Sequence, residues 1–310
     1  MKLAPGYILE LERLLGRCIR RNVPLRTLSS FRIGGPADAV VDLRNAMEVA
    51  QILRFVRDNG ISHLVLGAGT NVLFHDHGYR GLVIRTNGLK TYEIHSNGSG
   101  RATVRAAAGV SLQALVSRAS SLGWEGLEPL WGIPGSFGGA IVSNAGAGGV
   151  CIGDLLTSVT VMSESGEQLV LTRGELRYRY RHMEIPRGTV VVEGALHLSP
   201  GDRDDIAARI AAAKCRRRST QPWAAASAGC VFKNPSPDKP AGAIVDALGL
   251  KGVSIGDAVV SDVHANFIIN RGNASASDVV RLIDLIRSRV KAEENIDLEL
   301  EIHLFGAEGT

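Results

Sequence analysis

The sequence is short of aromatic residues, paired cysteines, net charge and long apolar runs. Aromatic residues make up 5% of the 310 positions, and the four cysteines (Cys18, Cys151, Cys215 and Cys230) are scattered with no CxxC pair. In a chain of this length such cysteines indicate reduced thiols in a cytoplasmic protein, and we expect no metal site. No stretch approaches the ~18 apolar residues of a membrane span, so we expect no membrane partner.

The charge balance excludes a strongly charged surface as the basis of function. Lys and Arg number 35 and Asp and Glu number 31, which gives a formal net charge of +4. This excess is too small to indicate nucleic-acid binding by itself. In the segment Arg177-Tyr-Arg-Tyr-Arg-His182, a nucleic-acid contact and a strand with Arg outside and Tyr inside both fit. We expect no nucleic-acid partner.

The chain has enough apolar residues for a substantial core, and it mixes helical and strand patterns. Hydrophobic residues make up 45% and charged residues 21%, which excludes disorder as the main state. Helices are predicted over residues 7–17, 46–58, 111–123, about 203–218, 241–248 and 275–295. Short strands are predicted between them, and residues 126–153 are expected to form a loop. Strict alternation over residues 297–305 predicts a final strand.

Glycine is in excess, and half of it lies in less than a third of the chain. There are 36 glycines, and counting along the sequence places 18 of them in residues 60–149. Glycine permits backbone conformations and close approaches that other residues do not, but ordering a glycine-rich loop loses much conformational entropy. We therefore expect loops in this region to bring backbone close to a ligand.

Two glycine loops stand out. The first, Gly67-Ala-Gly-Thr-Asn71, follows a predicted strand, where backbone N–H groups can reach an anion or the chain can simply make a tight turn. Position 72 is Val72, which excludes the dinucleotide-binding pattern G-x-G-x-x-G, and the P-loop pattern fails as well. The second is Trp131-Gly-Ile-Pro-Gly-Ser-Phe-Gly-Gly-Ala140. Its large apolar residues favour an ordered ligand cradle over a flexible linker.

A third segment, Ser227-Ala-Gly-Cys-Val-Phe-Lys-Asn-Pro235, places Cys230 three residues before Lys233. A neighbouring cation can lower the pKa of a thiol, whereas a buried and inert cysteine is the alternative interpretation. Glu301 lies on the polar face of the predicted final strand, a position that is usually solvated. The basic run at residues 214–218 is also typical of cations at the carboxyl end of a helix.

Taken together, these segments resemble the UDP-N-acetylenolpyruvoylglucosamine reductase family. The resemblance runs from about Thr27 to Gly306, and seven blocks in the family's order carry it. They are Ser30-Phe-Arg-Ile-Gly-Gly-Pro-Ala-Asp38, Gly67-Ala-Gly-Thr-Asn-Val-Leu73, Gly132-Ile-Pro-Gly-Ser-Phe-Gly-Gly-Ala140, Asn144-Ala-Gly146, Ser227-Ala-Gly-Cys-Val-Phe-Lys-Asn-Pro235, His264-Ala-Asn-Phe267 and Leu298-Glu-Leu-Glu301.

The resemblance implies an α+β fold in two parts. Residues 1–199 would form an FAD-binding unit of the PCMH type, similar to vanillyl-alcohol oxidase, with lobes at about 1–80 and 81–199. Residues 200–310 would form a C-terminal α+β substrate domain. This compact C-terminal region is similar to a shorter form of the family, which lacks an extra loop that closes over the substrate.

The resemblance also implies the residues of the site. Expected FAD-binding residues are Gly67, Ala68, Gly69, Thr70, Asn71, Leu73, Gly109, Gly132, Pro134, Gly135, Ser136, Gly138, Gly139, Ala140, Asn144 and Gly146. Expected substrate-binding residues are Tyr180, Arg218, Lys233 and Asn234, and expected catalytic residues are Arg181, Cys230 and Glu301.

The catalytic arginine has two possible registers. Tyr180-Arg181-His182, ending at Pro186, fits the family pattern best, although Met183 stands where a serine is often found. Tyr178-Arg179 is the alternative.

The implied activity is the reduction of UDP-N-acetylglucosamine enolpyruvate to UDP-N-acetylmuramate, a step of peptidoglycan synthesis that uses FAD and NADPH. Cys230 has the place of the family's proton donor, a serine or cysteine, and Arg181 and Glu301 would flank the charged intermediate. The alternative is another flavin oxidase of the same fold that acts on a small alcohol or sugar. Such an oxidase has no use for a carbon acid at Cys230. No obligate protein partner is expected.

Overall fold

The chain alternates between helices and many short strands. The computed structural model describes residues 3–96 and 100–306. In these residues the helices are α1 (Pro5–Leu15), α2 (Ala46–Asp58), α3 (Leu112–Ser121), α4 (Phe137–Val142), α5 (Ile152–Leu155), α6 (Arg203–Thr220), α7 (Ala241–Ala247) and α8 (Ala276–Glu294). The strands are β1 (Arg20–Pro24), β2 (Pro36–Asp42), β3 (His63–Leu66), β4 (Val72–Phe74), β5 (Tyr79–Arg85), β6 (Tyr92–Ser96), β7 (Ala102–Ala107), β8 (Trp124–Glu125), β9 (Gly146–Ala147), β10 (Val150–Cys151), β11 (Leu156–Ser163), β12 (Gln168–Thr172), β13 (Tyr178–Arg179), β14 (His182–Met183), β15 (Thr189–Pro200), β16 (Ser254–Ile255), β17 (Ala258–Val260), β18 (Ile268–Asn270) and β19 (His303–Phe305).

Capping residues account for the bounds of the longer helices. The Asn45 side chain accepts a hydrogen bond from the Glu48 N–H at 2.9 Å, and α2 begins and ends as predicted. Ser275 and Asp278 form the predicted capping box of α8, which ends at Asn295 in the left-handed conformation. Both caps satisfy backbone groups that have no partner within the helix. Within residues 3–96 and 100–306, none of the helices has the length and apolar character needed to span a membrane.

Two predicted elements differ from the structure. Residues 126–153 are not only a loop, because they contain α4, whose first turn is capped by Ser136 and which buries Phe137 and Ile141. A cap and two buried apolar side chains thus outweigh the low helix propensity of glycine. The regular part of the final strand is limited to β19. Residues 299–301 bond to residues 231–233 through a single isolated bridge, Phe232 with Leu300, instead of a continuous ladder.

Contacts divide the chain into two compact units built from separated stretches. The first unit is Met1–Arg20, Ala39–Ala68 and Gly81–Arg216; the second is Arg21–Asp38, Gly69–Arg80 and Arg217–Thr310. This grouping differs from the predicted continuous domains, since two early stretches join the C-terminal part and most of α6 joins the first unit. The domain boundary at residues 199/200 therefore stays a prediction.

The first unit is built on an antiparallel sheet with β15 near its centre. The strand order is β12-β11-β15-β7-β6, and β8 pairs with the far end of β15. Side chains of α2, α3, α4 and the sheet share one apolar core, which includes Leu53, Leu115, Phe137 and Leu196. Separately, β3 pairs in parallel with residues 82–85 of β5, and the chain leaves the end of β3 at the first glycine loop.

The second unit packs α8 against the antiparallel sheet β16-β17-β18. Its core takes in Phe31, Ile33 and Leu73 from the two early stretches, and β4 pairs in parallel with β19. The Asp76 carboxylate accepts hydrogen bonds from the N–H groups of Ala276 and Ser277 at 2.8 and 3.2 Å. A carboxylate at a helix N-terminus is stabilising, so the early stretches are integral to this unit.

Candidate active site

The start of the first glycine loop, Gly67, lies beside the second glycine loop within the first unit. Gly67 follows the last residue of β3 and lies so close to Ser136 that a Cβ atom on Gly67 would be 2.5 Å from Ser136 Oγ. Ser136 is buried, and its Oγ accepts a hydrogen bond from the Gly139 N–H at 3.3 Å. The end of a buried strand is thus placed beside the first turn of α4.

The second loop, residues 132–138, runs beside residues 108–112. The Gly138 N–H donates to the Ala108 carbonyl at 2.8 Å, and a Cβ atom on Gly138 would lie 2.6 Å from Ala108 Cβ. Glycine is required here because the two backbones touch with no room for a side chain.

Gly69 and Gly109 are likewise required by neighbouring backbone. A Cβ atom on Gly69 would lie 2.0 Å from the Leu28 carbonyl oxygen, and one on Gly109 would lie 2.1 Å from the Thr86 carbonyl oxygen. Gly69 also has a φ of +70°, which disfavours other residues. The glycine excess therefore has a physical reason beyond ligand binding, since it lets loops pack against each other.

At positions 132 and 135, glycine is favoured by the backbone conformation. Their φ values are 77° and 142°, within the range that only glycine adopts readily. The Gly132 N–H also donates to Gln113 Oε1 at 2.7 Å.

Gly139 is the loop glycine that fits the approach of a ligand. It lies inside α4, is exposed, and a Cβ atom there would meet only Ser136 Oγ, at 3.3 Å. A glycine in a helix interior is less stable than alanine by about 0.5–1 kcal/mol. Among the described residues, neither a positive φ nor a backbone contact requires glycine at this position. A molecule that lies against this face of α4 does explain it.

A buried ion pair, missed from the sequence, anchors the start of the second loop. The Glu128 side chain is almost fully buried and lies 2.8 Å from Arg209 Nη2, across 81 residues of sequence. The other carboxylate oxygen of Glu128 accepts a hydrogen bond from the Gly126 N–H. A buried carboxylate without such partners would be strongly destabilising, so this pair fixes the chain just before Trp131.

Asn144 and Gly146 contact the hairpin that carries the two candidate arginines. Asn144 Nδ2 donates to the Arg179 carbonyl at 3.0 Å. Arg181 Nη1 donates to the Gly146 carbonyl at 3.2 Å, and its guanidinium lies 5.1 Å from the centre of the exposed Tyr180 ring. The structure thus brings together four residues that the resemblance assigns to different roles.

The two registers of the catalytic arginine have different surroundings. The Arg179 side chain is 71% exposed and faces Glu184 at 3.7 Å. Arg181 is half-buried and has a φ of 56°, a left-handed conformation that is uncommon for arginine and is often found at functional sites. These surroundings favour Arg181, in line with the better fit of its register to the family pattern.

Cys230 and Glu301 lie on adjacent backbone segments of the second unit. The Glu301 N–H donates to the Val231 carbonyl at 2.8 Å, and the Lys233 N–H donates to the Glu299 carbonyl at 2.8 Å. Cys230 itself pairs with Phe267 through an isolated bridge. The thiol and the carboxylate therefore belong to neighbouring strands, although 71 positions separate them in the sequence.

Asn266 was not singled out from the sequence, and it holds the segment that carries Cys230. Its buried side chain accepts from the Phe232 N–H at 2.9 Å and donates to the Phe232 carbonyl at 2.8 Å. Its own carbonyl accepts from the Val231 N–H at 2.8 Å. An amide within the His264-Ala-Asn-Phe267 block was the available signal. A side chain that bonds both backbone groups of one residue acts as an extra strand partner.

Two histidines close to these segments are held neutral. Burial lowers the pKa of His264, and the charge of Lys251 adds to this effect. Burial, followed by the charge of Lys233, lowers the pKa of His303. Because the ordinary pKa of histidine is about 6.5, both rings are uncharged at pH 7. His264 Nδ1 can then accept the hydrogen bond that the Asn266 N–H makes at 3.2 Å.

Asn71 and Leu73, which are expected to bind FAD, have side chains that contact other parts of the protein. Asn71 Nδ2 donates to the Glu301 carbonyl at 3.0 Å, so Asn71 helps to place the final strand. Leu73 is 1% exposed and lies in the core of the second unit. The Leu73 side chain therefore packs among apolar neighbours, and the cofactor contact expected for this residue stays a prediction. Ala68 and Thr70 are half-buried, Pro134 is exposed and Ala140 is buried.

The predicted substrate-binding residues of the second unit differ in the contacts that their side chains make within the protein. Lys233 Nζ lies 3.2 Å from Glu299 Oε2 in an exposed ion pair. Asn234 Oδ1 accepts from the Ala241 N–H at 3.0 Å, at the start of α7. Arg218 is exposed in the last turn of α6. Exposed ion pairs contribute little stability, so Lys233 can exchange Glu299 for a ligand with only a small loss of free energy.

Known proteins similar to this chain match it over almost its whole length. UDP-N-acetylenolpyruvoylglucosamine reductase of Syntrophus aciditrophicus is 40% identical over 300 residues, which cover 97% of this chain and 96% of the relative. The protein of the same name from Moorella thermoacetica is 42% identical over 297 residues, 96% of each chain. The chain belongs to the UDP-N-acetylenolpyruvoylglucosamine reductase family.

Family models and a solved structure agree with this membership. The model described as UDP-N-acetylenolpyruvoylglucosamine reductase, C-terminal domain, matches residues 221–305, and the model described as FAD binding domain matches residues 37–172. The crystal structure of UDP-N-acetylenolpyruvylglucosamine reductase from Thermus caldophilus is similar with a TM-score of 0.79 at 34% identity, covering 93% of this chain and 99% of that one. The expected fold of an FAD-binding part followed by the reductase C-terminal domain is confirmed.

The FAD-binding match covers both glycine loops, and these residues fit the cofactor. Gly139 leaves an exposed helix face without a side chain, as a bound group would require. The C-terminal match covers Cys230, Lys233, Asn234 and Glu301.

Substitutions at neighbouring glycines should separate cofactor binding from folding. Gly139→Ala should weaken FAD binding at least about tenfold while raising helix propensity, whereas Gly138→Ala should lower the thermal midpoint, because its Cβ would lie 2.6 Å from Ala108 Cβ. FAD titration and thermal denaturation of each variant measure the two effects. Gly174→Ala is the control, since nothing lies within 4 Å of its Cβ position. Normal FAD affinity in Gly139→Ala would remove the assignment of this face to the cofactor.

Proposed function

We propose that this protein reduces UDP-N-acetylglucosamine enolpyruvate to UDP-N-acetylmuramate for peptidoglycan synthesis, with FAD as cofactor and NADPH as reductant. The full-length similarity to reductases of this name supports the substrate. The single observation that carries the proposal is the hydrogen bond between Glu301 and Val231, which holds the family's acid and proton-donor positions on adjacent segments. The four free cysteines support a cytoplasmic location.

FAD, when bound, would supply the hydride chemistry between NADPH and the methylene carbon of the enolpyruvyl group. The residues proposed to hold it are those of the two glycine loops, Gly67–Asn71 and Gly132–Ala140, in which Gly139 offers the exposed face. They bind and orient the cofactor through backbone groups rather than through charged side chains.

Cys230 is proposed to give the proton that completes the reduction. After a hydride adds to the methylene carbon, the neighbouring carbon carries negative charge and needs a proton from Sγ. A thiol is a stronger acid than an alcohol, and the donor has to be in its thiol form before the transfer. The transfer leaves a thiolate, which takes a proton from water before the next cycle.

Arg181 and Glu301 are proposed to flank the charged intermediate. Negative charge that develops next to the substrate carboxylate is stabilised by a fixed guanidinium, whose planar donors match a carboxylate. Arg181 donates to the Gly146 carbonyl, and the Glu301 N–H donates to the Val231 carbonyl, so a hydrogen bond to backbone helps to fix each residue. Tyr180, Lys233, Asn234 and Arg218 are proposed to contact the nucleotide sugar, Lys233 by releasing Glu299.

The activity is tested with purified, FAD-loaded protein, NADPH and the enolpyruvyl sugar nucleotide. We expect substrate-dependent loss of nicotinamide absorbance and formation of one product per NADPH consumed. The proposal fails if substrate causes no NADPH consumption above the slow background with oxygen. Bleaching of the flavin by a simple alcohol or sugar without NADPH, with oxygen consumed as the colour returns, would instead favour the oxidase alternative.

Substitution of Cys230 should separate the two half-reactions. Cys230→Ala should leave NADPH-dependent bleaching of the flavin intact, while product formation falls by about 10²–10⁴-fold, the contribution of a general acid. Cys230→Ser should retain part of the activity because a hydroxyl can still transfer a proton. Stopped-flow flavin absorbance measures both steps. Loss of both half-reactions to the same degree in Cys230→Ala would contradict the proton-donor role.

The arginine register is tested by two matched substitutions on one hairpin. Arg181→Ala should lower turnover by about 10²–10³-fold, as loss of a fixed donor to a developing anion does. Arg179→Ala removes only an exposed contact to Glu184 and should change turnover less than about fivefold. Steady-state kinetics of both variants at saturating NADPH decide between them. A larger effect at Arg179 would assign the catalytic role to the other register.

A further inference from the structure

The hairpin of β13 and β14 is too short to hold its own turn. Its ladder consists of two pairs, Tyr178 with Met183 and Arg179 with His182, and isolated two-stranded hairpins are marginally stable even when longer. The turn also has Arg181 at a φ of 56°, a position where glycine or asparagine is preferred. The position of Arg181 must therefore be maintained by contacts outside the hairpin.

Asn144 supplies such a contact from the segment that follows α4. The residue is 3% exposed, and its Nδ2 donates to the Arg179 carbonyl at 3.0 Å. Its Oδ1 accepts from the Gly153 N–H at 3.0 Å, so the same amide also binds the first turn of α5. Both functional groups of the side chain are thus used within the protein.

A second contact joins the hairpin to α5. The Tyr178 hydroxyl donates to Asp154 Oδ1 at 3.1 Å, and the Tyr178 ring lies so close to Gly153 that a Cβ atom there would be 2.8 Å from it. Burial would raise the pKa of Asp154, but hydrogen bonds from Cys151 and Tyr178 and the charge of Arg173 lower it overall. Asp154 is therefore ionised at neutral pH and remains an acceptor for Tyr178.

We propose that Asn144 is a positioning residue for Arg181, which it serves by fixing the backbone of Arg179, and that it is not a cofactor ligand. The inference rests on the proposed function for its kinetic consequence only, because the structural link between Asn144 and the hairpin does not depend on the reaction. It replaces the cofactor contact that the sequence analysis expects for Asn144. Its physical basis is that the Asn144 side chain is buried and bonds backbone through both its nitrogen and its oxygen, which leaves a ligand little access to the amide.

Asn144→Asp is the sharpest test because it replaces only the side-chain NH₂ group with an oxygen. Aspartate keeps the acceptor for the Gly153 N–H and tolerates the φ of 41° at this position, but it cannot donate to the Arg179 carbonyl. Substrate-dependent turnover should fall about 10- to 100-fold, as misplacement of a catalytic group does. The FAD dissociation constant and the rate of flavin reduction by NADPH should stay within about twofold. An equal loss of FAD affinity would overturn the proposal.

The double variant Asn144→Asp/Arg181→Ala distinguishes positioning from an independent role. If Asn144 acts through Arg181, the double variant should be no slower than Arg181→Ala alone, because the group being positioned is gone. Multiplicative losses would contradict the proposal. Asn59→Asp is the matched control, since the Asn59 amide donates to the Phe55 carbonyl at 2.9 Å at the end of α2, and it should leave turnover unchanged.

Hydrogen exchange provides a readout that is independent of activity. The Glu184 N–H donates to the Arg177 carbonyl at 2.8 Å, at the open end of the hairpin. Exchange over residues 177–184 should accelerate at least about tenfold in Asn144→Asp. It should accelerate less in Tyr178→Phe, which removes the contacts of the hydroxyl to Asp154 and Arg173 and keeps the Asn144 bond to the hairpin backbone. Unchanged exchange in Asn144→Asp would refute the positioning role even if the enzyme has another substrate. Faster exchange in a protein inactive on the enolpyruvyl substrate would instead count against the proposed function alone.

Discussion

Close contact between backbone segments is the constraint on which the loops of this protein depend. At Gly69, Gly109 and Gly138 a single added Cβ atom would lie 2.0–2.6 Å from a neighbouring atom, a distance that no side chain tolerates. Because interiors are close-packed and barely compressible, these contacts fix the loops relative to the strands they follow. A ligand site made of backbone groups then becomes rigid before the ligand arrives, which reduces the entropy lost on binding.

The proposed chemistry of the second unit also depends on backbone contacts, in this case hydrogen bonds that hold the segment after Cys230. One residue, Val231, accepts from the Glu301 N–H and donates to the Asn266 carbonyl, so the segment after Cys230 is paired on both sides. Asn266 adds two side-chain bonds to Phe232. Catalytic groups must be held to within a fraction of an ångström, and paired strands hold them better than a free loop. A buried amide with every bond satisfied serves here as part of the scaffold.

Much of the fold and part of the site follow from the sequence, and the failures have physical causes. The bounds of α2 and the cap of α8 are local properties, because Asn45, Ser275 and Asp278 bond to backbone within three residues. The helix α4 was missed because tertiary burial, not propensity, forms it. The FAD contacts expected of Leu73 and Asn144 stay predictions, since a motif indicates which residues matter but not whether they contact the ligand or the residues that support it.

Three departures from local preference lie among the residues of the proposed site. Arg181 and Asn144 have left-handed φ values of 56° and 41°, and Gly139 lies in a helix without a backbone reason for glycine. Such features are each less stable than the alternative by about 1 kcal/mol, against a total stability of only about 5–15 kcal/mol for a domain. Backbone packing gives no reason for glycine at position 139 or for a left-handed arginine at position 181. The proposed function gives one for each, since it needs a fixed guanidinium for an anionic substrate and an open helix face for a flat cofactor.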